Sequence, residues 1–381
     1  MLAERSSFNP LISPEDVIPS RPELMVKGVC NAGATTFGDE ILLLLRVMEA
    51  PAPDDGMVFV PVLDLDGRPG NAYRFLTFRK DDPDLDSSDP RVVSYRGRLY
   101  LTVISHLRLA RSVDGVNFSI DPKPTIMAQG PQESYGIEDA RVTLIDDTYY
   151  ITYVAVSHFS YTTSLMTTTD WSDYQRRGAI FHPQNKDVVI FPERINGAYF
   201  ALHRPDPGKF GLPAIWIARS PDLLHWGDHR HLLGPSLEGW DAWKVGAGAP
   251  PIATERGWLE IYHGVSHDGV YGLAALLLDG EDPSRVIACS PAPLLVPETM
   301  YEIQGFFSNT VFTDGVVRKL GESDRLLVYY GASDQYVCMT EFSIQAILDS
   351  LGPCKPAQTQ GNMLYDGGRV DGGRSPRPRR E

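Results

Sequence analysis

One unit recurs along this chain, and its length is what most limits the fold. A polar or small residue leads into a strand, a turn follows, and a second strand rich in Tyr, Leu and Val returns. Copies begin at Asn31 (NAGATTFGDEILLLLRV), Asp89 (DPRVVSYRGRLYLTV), Asp139 (DARVTLIDDTYYITYVAV), Asp187 (DVVIFPERINGAYFALHR), Gly248 (GAPPIATERGWLEIYHGV) and Asn309 (NTVFTDGVVRKLGESDRLLVYYGASD), 48 to 61 residues apart. A unit of that size cannot close a core of its own, and several strands per repeat are the mark of propeller blades. Turn pairs inside the units, Gly38-Asp39, Arg96-Gly97, Asp146-Asp147, Asn196-Gly197 and Arg256-Gly257, suit hairpins. Helical periodicity is confined to Phe342–Leu351, so the class is all-β. Six hairpins do not fix the blade number, because a closing blade can take strands from both ends of the chain.

The acidic body, with a formal net charge of −14 over 381 residues, argues against nucleic acid as a partner. Hydrophobic residues at 43% and charged residues at 22% are the balance of a soluble globular protein. No apolar run approaches a membrane span; the run ILLLL at 41–45 has only five residues. Cys30, Cys289, Cys338 and Cys354 are far apart, which predicts neither a zinc site nor disulfides. Together with an N-terminus that lacks a signal-type apolar core, this predicts a cytoplasmic protein. A single catalytic domain is expected over 1–352. Residues 353–381, with Arg374, Arg377, Arg379 and Arg380 and no apolar period, are expected to be a disordered tail.

In a propeller the leading strands line the central channel, which brings Asn31, Asp89, Arg91, Glu138, Asp139, Arg141 and Asp187 together. Carboxylates, amides and aromatics around one pocket suit carbohydrate chemistry, in which a carboxylic acid protonates a leaving oxygen. The segment Tyr135-Gly136-Ile137-Glu138-Asp139-Ala140-Arg141 carries two adjacent carboxylates into a strand. Strand alternation predicts that Glu138 and Asp139 point different ways and that Arg141 shares the face of Asp139. From chemistry alone, Asp139–Arg141 is either a reacting site or an ion pair tying blades, and Asp89–Arg91 repeats the same spacing. Lys186, Arg204, Lys244 and His263 fall at matching strand ends and form a set of positive groups able to cradle phosphate. The carboxylates pair with arginines rather than clustering with His, so no metal and no cofactor is expected.

At these residues the chain resembles glycoside hydrolase family 130, the β-mannoside phosphorylases and related mannosidases. The resemblance runs from about Phe8 to Asp334 through FNPLISPEDV, GVCNAGA, GIEDARVT, VVIFPERINGAYFALHRP, WIARSPDLLHW, KVGAGAPPI, WLEIYHGV and VYYGASD. It implies a five-bladed propeller, with Asp139 as the catalytic acid acting through the sugar 3-hydroxyl, and with Lys186, Arg204, Lys244 and His263 holding phosphate. Asn31, Arg46, Asp89, Arg91, Tyr135, Glu138, Asp187 and Asp334 become candidates for the sugar hydroxyls. The family's EDPR reads EDAR here, and its NPGA reads Asn31-Ala32-Gly33-Ala34. The implied reaction is inverting phosphorolysis by a hexosyltransferase. A β-1,2- or β-1,4-linked manno-oligosaccharide, or a mannosyl-glucose disaccharide, plus inorganic phosphate gives α-mannose 1-phosphate and a shortened acceptor. An inverting β-mannosidase of the same fold and a noncatalytic glycan-binding propeller are the alternatives. The linkage is not set by the sequence, nor is the oligomeric state, where a homo-oligomer stays open.

Overall fold

The computed structural model describes residues 2–65 and 73–354. Strands dominate, and most of those in the described residues fall into five sets of four, each an antiparallel meander. The first set comprises Leu24–Phe37, Glu40–Pro51, Ile104–Ser112 and Ser119–Ile120; the second Gly136–Ile145, Thr148–Val156, Tyr161–Thr168 and Gln175–Ala179. The third runs from Asn185–Ile190 to Gly227–Leu233 and the fourth from Lys244–Ala247 to Val286–Cys289. The fifth comprises Val311–Arg318, Arg325–Ala332 and Tyr336–Ser343, completed by the N-terminal Glu4–Arg5, whose Glu4 lies opposite Glu341. The predicted late helix is present over Ile344–Ser350, its N-cap Ser343 accepting from the Ala346 amide.

The hairpins form where the turn chemistry predicts. Arg96-Gly97 and Asn196-Gly197 each place two consecutive residues at positive φ, the geometry whose twist matches paired strands. The run Ile41–Leu45 is entirely buried, and its alternation has a purpose. Ile41, Leu43 and Leu45 pack with Tyr329 and Met339 of the fifth set, while Leu42 and Leu44 pack with Ile137 and Tyr153 of the second. Three more clusters join the second set to the third, the third to the fourth and the fourth to the fifth. Each sheet is thus covered on both faces, which is why its middle strands read as near-continuous apolar runs.

One of the six hairpins is not a leading one. The Asp89 hairpin lies in a small sheet of Leu85–Asp86, Val92–Tyr95 and Arg98–Leu101, inserted between the second and third strands of the first set. Hairpin pattern alone does not distinguish an insertion from a repeat, and this accounts for counting six where five sets exist.

The cysteine expectation is also corrected. Cys289 and Cys354 form a disulfide across 65 residues of sequence. Cys289 and Gly352 exchange both backbone hydrogen bonds beside it, tying the end of the described chain to the outer strand of the fourth set. Sequence distance concealed a spatial neighbour. The tail expectation for 353–381 therefore fails at its first two residues, and 355–381 lie outside the described residues. Among the described residues, no helix is long and apolar enough to cross a membrane.

Candidate active site

The first strand of four sets carries a register shift at a polar residue: at Asn31 between Cys30 and Gly33, at Asp139 between Glu138 and Arg141, at Asp187 between Lys186 and Val189, and at Asp314 between Thr313 and Gly315. Asn31, Asp139 and Asp187 have φ near +50°. Short polar side chains tolerate that region best among non-glycine residues, which explains the Asn and Asp at these positions. The bulges overturn the simple alternation expected for the acidic pair. Glu138 and Asp139 both reach Arg46, whose Nη2 donates to Glu138 Oε1 at 2.8 Å and whose Nη1 donates to Asp139 Oδ1 at 2.9 Å. Asn31 Nδ2 donates to the same Asp139 oxygen at 3.0 Å. On the other oxygen of Asp139, Lys186 Nζ stands 3.7 Å away.

Arg141 does not pair with the Asp139 carboxylate as the shared face predicted. Its Nη1 donates to the Asp139 carbonyl, and its Nη2 lies 2.6 Å from Asp314 and 3.4 Å from Asp187. At 1% exposure it is a buried tie under the site. Asp187, fully buried, joins this tie to the basic groups above it: Arg204 Nε is 2.9 Å from its Oδ2 and His263 Nε2 is 3.5 Å.

Lys186 and Arg204 are directly opposite in the third set, and Lys244 and His263 come from adjacent strands of the fourth. Gly246 lies between them, and a Cβ there would collide with the Asp187 carboxylate and the His263 ring, so the backbone can pass only as glycine. These four residues, with Asn31, Arg46, Arg91, Glu138, Asp139 and Asp334, line one cavity of ≈ 230 Å³. Three of the candidates are not on its wall. Asp187 sits beneath it, Asp89 pairs with Arg91 behind it, and Tyr135 packs with Val60, Val62 and Val93 in a separate cluster. Much of the remaining wall is aromatic, from residues that escaped the sequence reading. Phe307 lies under the Arg91 guanidinium at 3.7 Å, Phe312 packs on the His263 ring, and Tyr271 Oη accepts from Lys244 Nζ. The one signal for these was Gly305-Phe306-Phe307-Ser308, an apolar doublet between turn residues. Asp314 was missed too, although it sits early in its repeat as Asp139 does.

The electrostatics follow from crowding in a buried place. Burial works to raise Asp139, but Arg46, Lys186 and Arg141 outweigh it and hold this carboxyl well below the usual range. Asp187 is likewise held low against burial, by Arg204 first. Asp334 is pushed up to about 6 by burial, opposed by Arg46 and reinforced by Asp139. Burial, with Arg204 and Lys186 beside it, lowers Lys244 to about 7. Burial also drives His263 well below its ordinary value, so at neutral pH it offers a ring N–H and not the fourth charge expected. Among the described residues, no group of three or more His, Cys, Asp or Glu is disposed to hold a metal.

A family model described as β-1,4-mannooligosaccharide phosphorylase matches residues 90–352. A β-1,2-mannobiose phosphorylase of Listeria innocua is 43% identical over 352 residues, covering 91% of this chain and 98% of the relative. A 1,2-β-oligomannan phosphorylase of Thermoanaerobacter is 41% identical over 241 residues, 62% of this chain and 78% of the relative. The solved Listeria innocua β-1,2-mannobiose phosphorylase, in complex with β-1,2-mannobiose, superposes with a TM-score of 0.88 at 42% identity over 92% of this chain and 99% of that one. The chain belongs to glycoside hydrolase family 130.

Proposed function

We propose that this chain is an inverting β-mannoside phosphorylase, a hexosyltransferase that takes a β-linked manno-oligosaccharide and inorganic phosphate to α-mannose 1-phosphate and a shortened acceptor. The observation that carries this is the basic set around Asp187, with Lys186 and Arg204 beside Lys244, which is charged below about pH 7, and His263 a neutral donor, on the same cavity as Asp139. A phosphate dianion would otherwise be repelled by the acidic site and by a chain of net charge −14. Of the linkages, β-1,2 is favoured by the 43% identity to the Listeria innocua enzyme.

Asp139 is the acid in this reading. The C1–O bond to the acceptor breaks as a phosphate oxygen bonds to C1 from the opposite face, inverting the centre. The acceptor oxygen gains one proton, and hydrogenphosphate loses one as it becomes the mannose 1-phosphate dianion, so the balance needs no further reagent. Arg46 first and Lys186 second keep Asp139 ionised, and a dianion beside Lys186 weakens that hold, which favours the carboxyl carrying that proton, through the sugar 3-hydroxyl, to the leaving oxygen. Asn31, Arg46, Arg91, Glu138 and Asp334 bind the sugar hydroxyls. No cofactor beyond phosphate enters.

The fold in this reading is a five-bladed β-propeller. Five hydrophobic interfaces, each between neighbouring sets and the last between the fifth and the first, support it. A cytoplasmic location is supported by the chemistry: a charged sugar phosphate formed inside a membrane-bounded compartment stays there. The Cys289–Cys354 pairing removes the cysteine argument that first pointed the same way.

The test is to incubate the protein with β-1,2-mannobiose, with and without phosphate, and to measure mannose 1-phosphate and free mannose separately. Mannose 1-phosphate formed only with phosphate is expected. Free mannose released equally fast without phosphate, and no mannose 1-phosphate with it, would make the protein a mannosidase.

A further inference from the structure

Of the four polar residues at bulges, Asp314 alone has no part in the scheme above. It sits on the first strand of the fifth set, between Thr313 and Gly315, and is fully buried. Apart from Arg141 Nη2 at 2.6 Å, neither of its oxygens has a hydrogen-bond partner among the described residues. Burying a carboxyl with so few partners costs free energy, so the one contact it makes calls for a reason.

What Arg141 holds supplies that reason. Its guanidinium is a planar fork with every arm occupied. Nε donates to the Gly248 carbonyl at 3.1 Å, Nη1 donates to the Asp139 carbonyl at 3.0 Å, and Nη2 lies between Asp314 and Asp187. The bulge between Glu138 and Arg141 takes Asp139 out of register with the neighbouring strand, and its carbonyl is held by Nη1. Asp139 has a φ of 48°, which a non-glycine residue keeps only where its surroundings impose it. The two carboxyls on Nη2 are unequal. Asp187 stands at 3.4 Å and is also engaged by Arg204 and His263, whereas Asp314 stands at 2.6 Å and serves Arg141 alone.

We infer that Asp314 is the positioning residue of the acid: it fixes the plane of Arg141 and, through Nη1, the backbone turn that aims the Asp139 carboxyl at Arg46 and Lys186. This rests on the reading of Asp139 as the acid. Without Asp314, Nη2 is drawn to Asp187, the fork turns, and the Asp139 carbonyl loses its donor. The freed peptide relaxes toward negative φ and carries the carboxyl off its line to the sugar. A misplacement of about 1 Å is worth up to ~100-fold in rate. The contact aims a fork and transfers no proton, so a neutral oxygen in the same place serves it nearly as well.

Asp314→Leu and Asp314→Asn, which keep the branched shape of the side chain, test this in phosphorolysis of β-1,2-mannobiose. Asp314→Leu is expected to lower kcat ~10- to 100-fold while both KM values stay within about threefold of wild type. The solvent deuterium isotope effect on kcat should rise, because proton delivery becomes the slow step; a mere loss of folded protein would leave it unchanged. Asp314→Asn, which retains an oxygen, should return to within about threefold of the wild-type kcat. Asp314→Ala replaces Asp314→Leu if the larger apolar side chain prevents folding. Near-normal kcat in the folded apolar variant, a loss carried by the KM values, an unchanged isotope effect, or an Asp314→Asn as impaired as Asp314→Leu would each overturn the inference. If the wild type releases free mannose and no mannose 1-phosphate, the phosphorylase reading fails, and the same comparison is made in hydrolysis, which uses the same acid. If the wild type makes no product, crystal structures of the variants decide: Arg141 and the Asp139 carbonyl unmoved in Asp314→Leu overturn the inference.

Discussion

Two segments of this chain share the spacing Asp-x-Arg and end up in opposite circumstances. Asp89 and Arg91 pair with each other through two side-chain bonds, at 3.1 and 2.9 Å, on an inserted sheet where both keep a third of their surface in water. Asp139 and Arg141 sit on either side of a bulge, nearly dry, and never pair through their charged ends. The extra residue sends Asp139 into the cavity toward Arg46 and Lys186, and sends Arg141 down to Asp187 and Asp314. A local ion pair satisfies itself and leaves no field. A split pair makes each member available to partners from other sheets, and a reacting carboxyl needs that.

The sharpest way to break this contrast is to neutralise each aspartate in turn. Asp139→Asn is expected to lower turnover by at least ~100-fold, the scale of lost general acid catalysis. Asp89→Asn should cost no more than ~5-fold, the upper end for an exposed ion pair. Steady-state phosphorolysis of mannobiose measures both, and near-normal turnover in folded Asp139→Asn would remove it as the acid.

The arginines extend the contrast to stability. Arg141→Met strands two buried carboxylates and should reduce unfolding free energy by about 3–5 kcal/mol, whereas Arg91→Met should cost about 0–1 kcal/mol. Urea titrations of the two variants decide, and similar midpoints would mean that Arg141 is not the tie described.

Above that tie, Arg204→Ala removes a charge-assisted contact, on the order of 1.5–3 kcal/mol, and should raise the phosphate KM roughly 10- to 100-fold. The sugar KM should change far less. An equal loss for both substrates would spread the effect over the whole cavity.

The smallest expected effect is a matter of pH. Lys244 is lowered to about 7, so its charge is present below pH 7 and is lost as pH rises through that value. The phosphate KM should therefore climb above pH 7, by up to ~10-fold for one weakened contact. Lys244→Met should start with a higher KM at pH 6 and show a shallower climb. Identical slopes from pH 6 to 9 would assign the dependence to phosphate itself.

The legible part of this molecule was the local part. Strand pairs and their turns follow from side-chain alternation and from residues such as Asn196-Gly197 that accept positive φ. Asn31, Asp139 and Asp187 stood out because a short polar residue led each repeat, and the bulges give the physical reason for that residue type. What required the third dimension was less visible. Tyr271, Phe307 and Phe312 did not stand out, because an apolar side chain looks the same in sequence on a cavity wall as in a core. Tyr135 read as site because it is near Glu138 in sequence, yet it packs away from the cavity with Val60, Val62 and Val93. His263 read as a cation because burial is not written in its neighbours. Cys289 and Cys354 read as strangers because 65 residues of sequence separate them, and only the bridge of Gly352 to Cys289 brings them together.

The strand Glu4–Arg5 has a consequence for how the molecule is made. It supplies the outer edge of the fifth set, and Arg5 reaches Glu302 and Glu298 on the same side of the protein. Its partners over Tyr336–Ser343 leave the ribosome more than 300 residues later. At translation rates of roughly 5–20 residues per second, this strand waits on the order of tens of seconds for its place. The first four sets can assemble on one another while the chain is still growing, but the fifth cannot be finished until synthesis has passed its last strand. The nascent protein therefore carries an open seam between these two segments, and a stall before residue 336 leaves that seam, with the apolar faces of the first and fourth sets, available to chaperones.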